Sequence, residues 1–261
     1  MEPFRVKENS KIKSIEKAFR VIDIISNQKD GIKLRQIAQE MSGNESALHH
    51  LLSSLLDTSI IIKNPTNNRY YLGIKTVELG NKYFSALAFY DIAKTHLERL
   101  NNEFNESIYL ITYESNKLIL LENMASDYFL KSYISVKIDE AHATACGKIL
   151  LSEFGEENLK DHISKYGLKK LTENTITQEE KLKEELKSVK KNGYSFDNEE
   201  LEVNLNCIGV PIYSYKNKLV STIVIAVSKN RLTDLIKEKM INSLKQASIE
   251  ISEHLGYKFT K

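Results

Sequence analysis

Two sets of side chains in this sequence have types and spacings that could do chemistry. The first is Ser46, His49, His50 and Ser53, which share a short segment with Leu48, Leu51, Leu52, Leu55 and Leu56. At 100° per residue the leucines gather on one side of a helix and the polar residues, with Ser54 and Asp57, on the other. Hydroxyl and imidazole groups each donate or accept a hydrogen bond, so such a face can read base edges in a DNA major groove. The plain alternative is a pair of surface histidines without a role. The second set is His142, Cys146, Asp197 and Cys207, which could ligate a metal or supply a thiol redox pair. The cysteines form no Cys-x-x-Cys pair, no ligand spacing supports a metal site, and a buried cysteine is more often a small hydrophobe. The sequence has no Gly-rich phosphate loop, Gly-x-Ser-x-Gly elbow or His-Glu-x-x-His pair, so neither enzyme activity, cofactor nor metal is expected.

The elements that must position these groups follow from hydrophobic period. Ile15, Ala18, Phe19, Ile22 and Ile25 predict a helix over 14–26, and Asn27 to Gly31 end it. Leu34, Ile37, Ala38 and Met41 predict a shorter helix before Ser42, Gly43 and Asn44, and a third runs over 45–57. Residues 60–64 and 69–73, joined by Pro65-Thr66-Asn67-Asn68, read as a β-hairpin carrying Lys63 and Arg69. Helix, helix, turn, helix, hairpin is the winged helix-turn-helix order: one helix for the major groove and a wing for the flanking phosphates. Small packing or docking domains share that order. One long helix is expected over 74–106. Beyond it strands are expected at 107–113, 117–124, 129–138, 194–197, 206–215 and 218–228, with helices at 142–154, 157–166, 178–191 and 232–255. A mostly antiparallel sheet with grouped helices is an α+β layout. The acidic run Asp197 to Glu202 lacks a calcium-loop pattern and reads as a solvated loop after Asp197, and the alternating charges of Lys181 to Lys191 as a solvent-exposed helix face.

Composition sets the bounds. With 261 residues, 41% of them hydrophobic and 28% charged, the chain fits two globular domains and excludes collagen-like and disordered classes. No apolar run reaches membrane-spanning length and Met1 to Ile15 offers no secretory core, so no membrane is expected and a cytoplasmic location is. The net charge of +2 is unevenly spread: residues 1–80 hold twelve basic against nine acidic side chains, and the remainder twenty-five against twenty-six. The small N-terminal part is the only net-positive one, which fits nucleic acid or an acidic partner.

Three stretches together resemble the IclR-type bacterial transcriptional regulators, over nearly the whole chain from Ser14 to Gly256. They are Ser14-Ile15-Glu16-Lys17-Ala18-Phe19-Arg20-Val21-Ile22 with Leu48-His49-His50-Leu51-Leu52 and Arg69-Tyr70-Tyr71-Leu72-Gly73; His142-Ala143-Thr144-Ala145-Cys146-Gly147-Lys148; and Gly193-Tyr194-Ser195-Phe196-Asp197-Asn198-Glu199-Glu200 leading to Cys207-Ile208 and Pro211-Ile212. The resemblance implies a winged helix-turn-helix over 1–73, a linker helix over 74–106 and a GAF-like α+β effector domain with an antiparallel sheet over 107–261. It implies a ligand-responsive regulator that binds palindromic double-stranded DNA as a homodimer or homotetramer and senses a small metabolite, a carboxylic acid being the expected class. Matching positions imply an effector pocket of Ala145, Cys146, Asp197, Leu205 and Cys207, with Val224 and Ala226 where relatives that bind small keto acids have two serines. A ligand larger or less polar than those keto acids follows from the loss of two hydroxyls. Small residues at 143, 145 and 147 would let a ligand approach the backbone, or serve helix–sheet packing.

The third helix departs from the family. Asn44-Glu45-Ser46-Ala47 stands where Pro-Lys-Ser-Thr is usual, His50 where an Arg is usual, and residues 42–56 contain no Lys or Arg. A bidentate arginine contact to guanine is absent from this helix. Base reading would rest on Ser46, His49, His50 and Ser53, leaning to A·T pairs, with Lys33, Arg35, Lys63 and Arg69 on phosphates. Two alternatives stay open: a GAF-fold thiol redox switch or enzyme using Cys146 and Cys207, and a sensor or docking protein whose DNA-reading helix has degenerated.

Overall fold

The computed structural model describes residues 12–42, 45–87, 89–115, 117–128 and 137–258, with the side chains of Ser46 and Ala47 outside that description. The chain divides into two compact units, Met1–Leu87 and Ala88–Lys261.

The first unit contains α1 (Lys13–Ser26), β1 (Ile32–Lys33), α2 (Leu34–Glu40), α3 (Glu45–Asp57), β2 (Ile61–Lys63), β3 (Arg69–Leu72) and α4 (Ile74–Ala86). The strands form an antiparallel sheet in the order β1-β3-β2, so the hairpin read from sequence gains a third strand too short to show a period of its own. One core holds Val21, Ile24 and Ile25 of α1, Ile37 of α2, Leu48, Leu52 and Leu55 of α3, and Ile61 and Tyr70 of the hairpin. The packing face of α1 matches the expected one in part, with Ala18 and Ile22 packed against the core. Ile25 is buried, but Ile15 and Phe19 lie 51% and 63% exposed, because Val21 and Ile24 turn toward the core instead.

The helix expected over 74–106 is two helices, α4 and α5 (Tyr90–Phe104). No glycine or proline marks the break. Leu87 turns extended (φ −85°, ψ 97°) and Phe89 is buried at the head of α5, so tertiary burial overrides a locally continuous helical pattern.

The second unit is built on a five-stranded antiparallel sheet, ordered β5-β4-β8-β7-β6, from β4 (Ser107–Glu114), β5 (Lys117–Met124), β6 (Ser195–Asn198), β7 (Leu205–Tyr213) and β8 (Leu219–Ser228). β4, β7 and β8 are almost wholly buried, and residues alternate between two covered faces. α5 packs on β4, and α9 (Asp234–His254) packs on β7 and against α5. Ser248 Oγ of α9 donates to Pro211 O at 2.5 Å, and Ser252 Oγ accepts from Tyr213 N at 3.0 Å. Pro211 lies beyond the register of β6, where its missing N–H disrupts no ladder.

α6 (Ala145–Ser152) packs on β6, β7 and β8, with α8 (Glu179–Asn192) against it. Leu151, Leu159 of α7 (Glu156–Tyr166), Leu182 and Leu186 share a core in this helical layer. The helix expected over 142–154 begins later. Residues Ile138–Ala143 form a 3-10 turn, and extended Thr144 (φ −122°, ψ 148°) caps α6 by accepting from Gly147 N at 3.1 Å. The strand expected over 129–138 falls largely outside the described residues, and Ile138 opens the 3-10 turn.

Candidate functional site

In the first unit, α3 is amphipathic as its sequence requires. Leu48, Leu52 and Leu55 are buried, while His49, His50 and Ser53 are exposed on the opposite side. Ser46 lies on the same helix with its side chain outside the described residues. The backbone presents the polar face without distortion, and Ser54 Oγ donates back to His50 O at 3.1 Å, leaving His49 and Ser53 at the surface. No described basic residue sits on this helix, as the sequence dictates.

The four expected phosphate contacts are in different situations. Lys33 and Arg35, flanking the start of α2, are exposed, and Lys33 N donates to Gln36 Oε1 at 3.2 Å. Lys63 is exposed on the hairpin with its ammonium 5.6 Å from the Tyr70 ring centre. Arg69 is half-buried and engaged internally: its Nη1 donates to Gly31 O at 2.9 Å and Asp30 O at 3.3 Å. Tyr71 hydroxyl donates to the same Asp30 carbonyl at 3.0 Å. Gly31 is required there. Its φ is +70°, and a β-carbon would lie 2.4 Å from the Tyr71 ring. Arg69 and Tyr71 thus anchor the hairpin to the turn after α1, a brace not legible from a charge count.

In the second unit, Ala145, Cys146, Cys207, Val224 and Ala226 meet in one buried cluster with Tyr109 and Ile111, and Leu205 packs at its edge. The sheet register explains the meeting: Cys207 pairs with Ala226 on one side and Asp197 on the other, and Val224 lies opposite Tyr109 and Gly209. Tyr109 and Ile111 went unnoticed in the sequence, although alternation along β4 puts both on the face of α6. Beside the cluster, a cavity of about 340 Å³ lies between α6 and the ends of β4 and β8, touching Cys146, Leu150, Ile111, Leu118 and Thr222.

Asp197, 1% exposed, lies beside this cluster as the strand partner of Cys207. Its Oδ1 accepts from Glu200 N at 2.7 Å and Leu201 N at 3.4 Å, and its buried Oδ2 has no partner. Burial raises its pKa from 3.8 to about 7, against the pull of the Glu200 N–H and with a push from the Glu200 carboxylate. Behind it stands a group the sequence reading missed. Lys148, 1% exposed, gives its ammonium to Glu185 Oε1 at 3.0 Å, Phe196 O at 2.8 Å and Glu200 Oε1. The acidic run is therefore no solvated loop. Glu199 and Glu200 are 6% and 4% exposed, Glu199 pairing with Lys229 and Glu200 with Lys148. The available signal was a lone lysine inside the apolar run Ala145 to Leu151, which demands a buried counter-charge. Nor is Lys181 to Lys191 wholly a solvent face, since Leu182, Leu186 and Val189 are buried and Glu185 reaches Lys148.

Both thiols are buried and free. Burial pushes Cys146 up to about 11 and raises Cys207 well above its ordinary value, which disfavours the thiolate at both. Among the described residues no group of His, Cys, Asp and Glu could hold a metal. His142 is buried against Lys169 O at 3.0 Å, and burial lowers its pKa. Gly147 serves packing: a β-carbon there would lie 2.2 Å from Ala141 O, and its N–H is taken by Thr144.

The model of the family described as the IclR helix-turn-helix domain matches residues 14–65, and that described as bacterial transcriptional regulator IclR C-terminal matches residues 81–253. The chain is 27% identical over 247 residues to the HTH-type transcriptional regulator XynR of Escherichia coli strain K12, covering 94% of this chain and 98% of that one. The crystal structure of the Thermotoga maritima IclR superposes with a TM-score of 0.76 at 28% identity, covering 95% of this chain and 100% of that one. An IclR homologue from Microbacterium hydrocarbonoxydans, crystallised with 4-hydroxybenzoate, shares the fold with a TM-score of 0.82 at 20% identity over 93% of this chain and 99% of that one. With the helix-turn-helix order in one unit and an antiparallel effector-type sheet in the other, the chain belongs to the IclR family of bacterial transcriptional regulators.

Proposed function

We propose that this regulator reads a palindromic operator through the outer face of α3 and releases or engages it in response to a small carboxylic acid bound at the Asp197 cluster. The observation that carries the DNA half is the exposed set His49, His50 and Ser53 on a helix whose other face is fully committed to the core. Ser46 belongs to this set by sequence. Lys33, Arg35 and Lys63 supply phosphate contacts, and Arg69 supports them by holding the hairpin. The effector half rests on Asp197, whose buried Oδ2 lacks a partner and whose raised pKa lets a neutral carboxyl donate to an incoming carboxylate. Ala145, Cys146, Leu205, Cys207, Val224 and Ala226 supply apolar or weakly polar walls, which favour an acid with a hydrocarbon body over a small keto acid. The fold relative bound to 4-hydroxybenzoate is consistent with that class.

A homodimer is the working assembly, whether or not dimers pair further into a homotetramer. None of the 13 residues of α4 is buried. Ile74, Val77 and Leu79 of α4, Ile15 and Phe19 of α1, and Ile12 just before it are all exposed, an apolar surface that a second copy would cover. Regulation without catalysis is the role we assign, in the cytoplasm where DNA is; no helix of the described residues is long and apolar enough to cross a membrane. The test is capture of genomic fragments by the purified protein at low salt, followed by titration of the best fragment at rising salt. A shared palindrome bound with a negative salt slope supports the proposal, and uniform weak capture or none overturns it.

A further inference from the structure

Along α7 and the end of β4, four rings line up in sequence. Tyr113 meets Phe154 edge-on at 6.4 Å between ring centres, Phe154 meets His162 at 6.1 Å and 72°, and His162 lies tilted on Tyr166 at 4.8 Å. All four border an open recess of about 410 Å³ whose rim carries Asn158, Asp161 and Lys165. His162 is 7% exposed and its buried Nε2 has no hydrogen-bond partner. An orphaned buried nitrogen carries an unfavourable desolvation cost that a ligand hydrogen bond would offset. Burial, the neighbouring His142 and the Lys165 ammonium all lower the His162 pKa, which keeps the imidazole uncharged at neutral pH. The recess shares no residue with the buried Cys146 and Cys207 cluster, although Tyr113 and Phe154 also border the cavity beside that cluster.

We infer that this recess is a second small-molecule site, for an uncharged planar aromatic molecule that presents one hydroxyl or ring N–H to Nε2 of His162. The volume fits a one- or two-ring compound, and Tyr113, Phe154, Tyr166 and Ile138 give it an apolar side facing a polar one of Asn158, Asp161 and Lys165. Charge at the rim selects against ions. Asp161 and Lys165 oppose each other, so neither an organic anion nor a cation finds a net field. The Lys165 ammonium already sits 4.8 Å from the Tyr166 ring centre, where a bound cation would otherwise go. An aromatic ring can instead lie against Phe154 and Tyr166 with its polar edge turned toward His162. Nothing in this inference depends on the effector or operator proposed above.

The test uses the full chain with isotope-labelled histidine, titrated with phenol and indole, and with cyclohexanol, benzoate and tetramethylammonium as comparisons. Saturable shifts of the His162 ring resonances with phenol or indole, and weaker binding of the three comparison compounds, are expected. His162→Phe keeps a ring against Phe154 and Tyr166 and removes the nitrogen, so affinity should fall about tenfold. Tyr166→Leu, at a half-buried position, should weaken binding by a similar factor while leaving the His162→Phe effect in place. Absence of saturation for phenol and indole, equal affinity in His162→Phe, or preference for benzoate or tetramethylammonium would each overturn the proposal.

Discussion

At Asp197 the decisive fact is a carboxyl with one oxygen held by two backbone N–H groups and the other buried without a partner. Its pKa is raised from 3.8 to about 7, so the neutral form is favoured in the folded chain. The contribution to stability is therefore complete below about pH 4 and is lost as the pH rises through about 7, a change on the order of 4 kcal/mol. Asp197→Asn keeps the accepting oxygen and cannot ionise, so denaturant unfolding followed from pH 4 to pH 8 should show a flatter profile in the variant. Identical profiles would show that Asp197 does not titrate in this window. Effector binding inherits the same sign, since a carboxylate that needs the neutral acid loses affinity about tenfold per pH unit above the Asp197 pKa. Asp197, Cys146 and Cys207 were legible as a constellation through motif resemblance, because family position is carried by short strings. Lys148 and Glu200 were not, because their pairing spans 52 positions and depends on burial. A charge in an acidic run looks solvated until the fold closes over it.

At the scale of elements, helix and hairpin periods placed α1, α2, α3 and the wing, and the four expected phosphate contacts fall on or beside them. Period alone does not say which way a long side chain turns. Lys63 points outward from the hairpin, whereas Arg69, four residues from the turn-forming Pro65, folds back on the carbonyls of Asp30 and Gly31. The two should separate experimentally. Lys63→Ala should leave stability nearly unchanged and reduce the salt slope of DNA binding by about one per protomer. Arg69→Ala should lower the stability of the first unit by about 1–3 kcal/mol through two lost charge-assisted bonds. Thermal unfolding and salt titration of both variants check this; a stable Arg69→Ala protein with a reduced slope would return Arg69 to the phosphate backbone. The split of α4 from α5 was illegible for a related reason. Leu87, Ala88 and Phe89 are ordinary helix residues, and only the burial of Phe89 distinguishes them.

For the whole molecule, the two-fold operator proposed above requires two copies, and the apolar residues left exposed on α1 and α4 are the surface we propose for their contact. Phe19→Glu places a charge on that surface without touching the core of the first unit, and sedimentation should show the association constant falling by about a hundredfold or more. An unchanged association constant would move the interface elsewhere. In the proposed function a helix without arginine or lysine reads sequence through Ser46, His49, His50 and Ser53. The most direct test is fluorescence anisotropy of the Ser46→Ala, His49→Ala double variant on the captured operator and on scrambled DNA, across a salt series. The variant should bind both DNAs equally and weakly, with the salt slope of the parent protein on scrambled DNA. A variant that weakens on both DNAs by the same factor and still prefers the operator would contradict it, and would shift base reading away from α3.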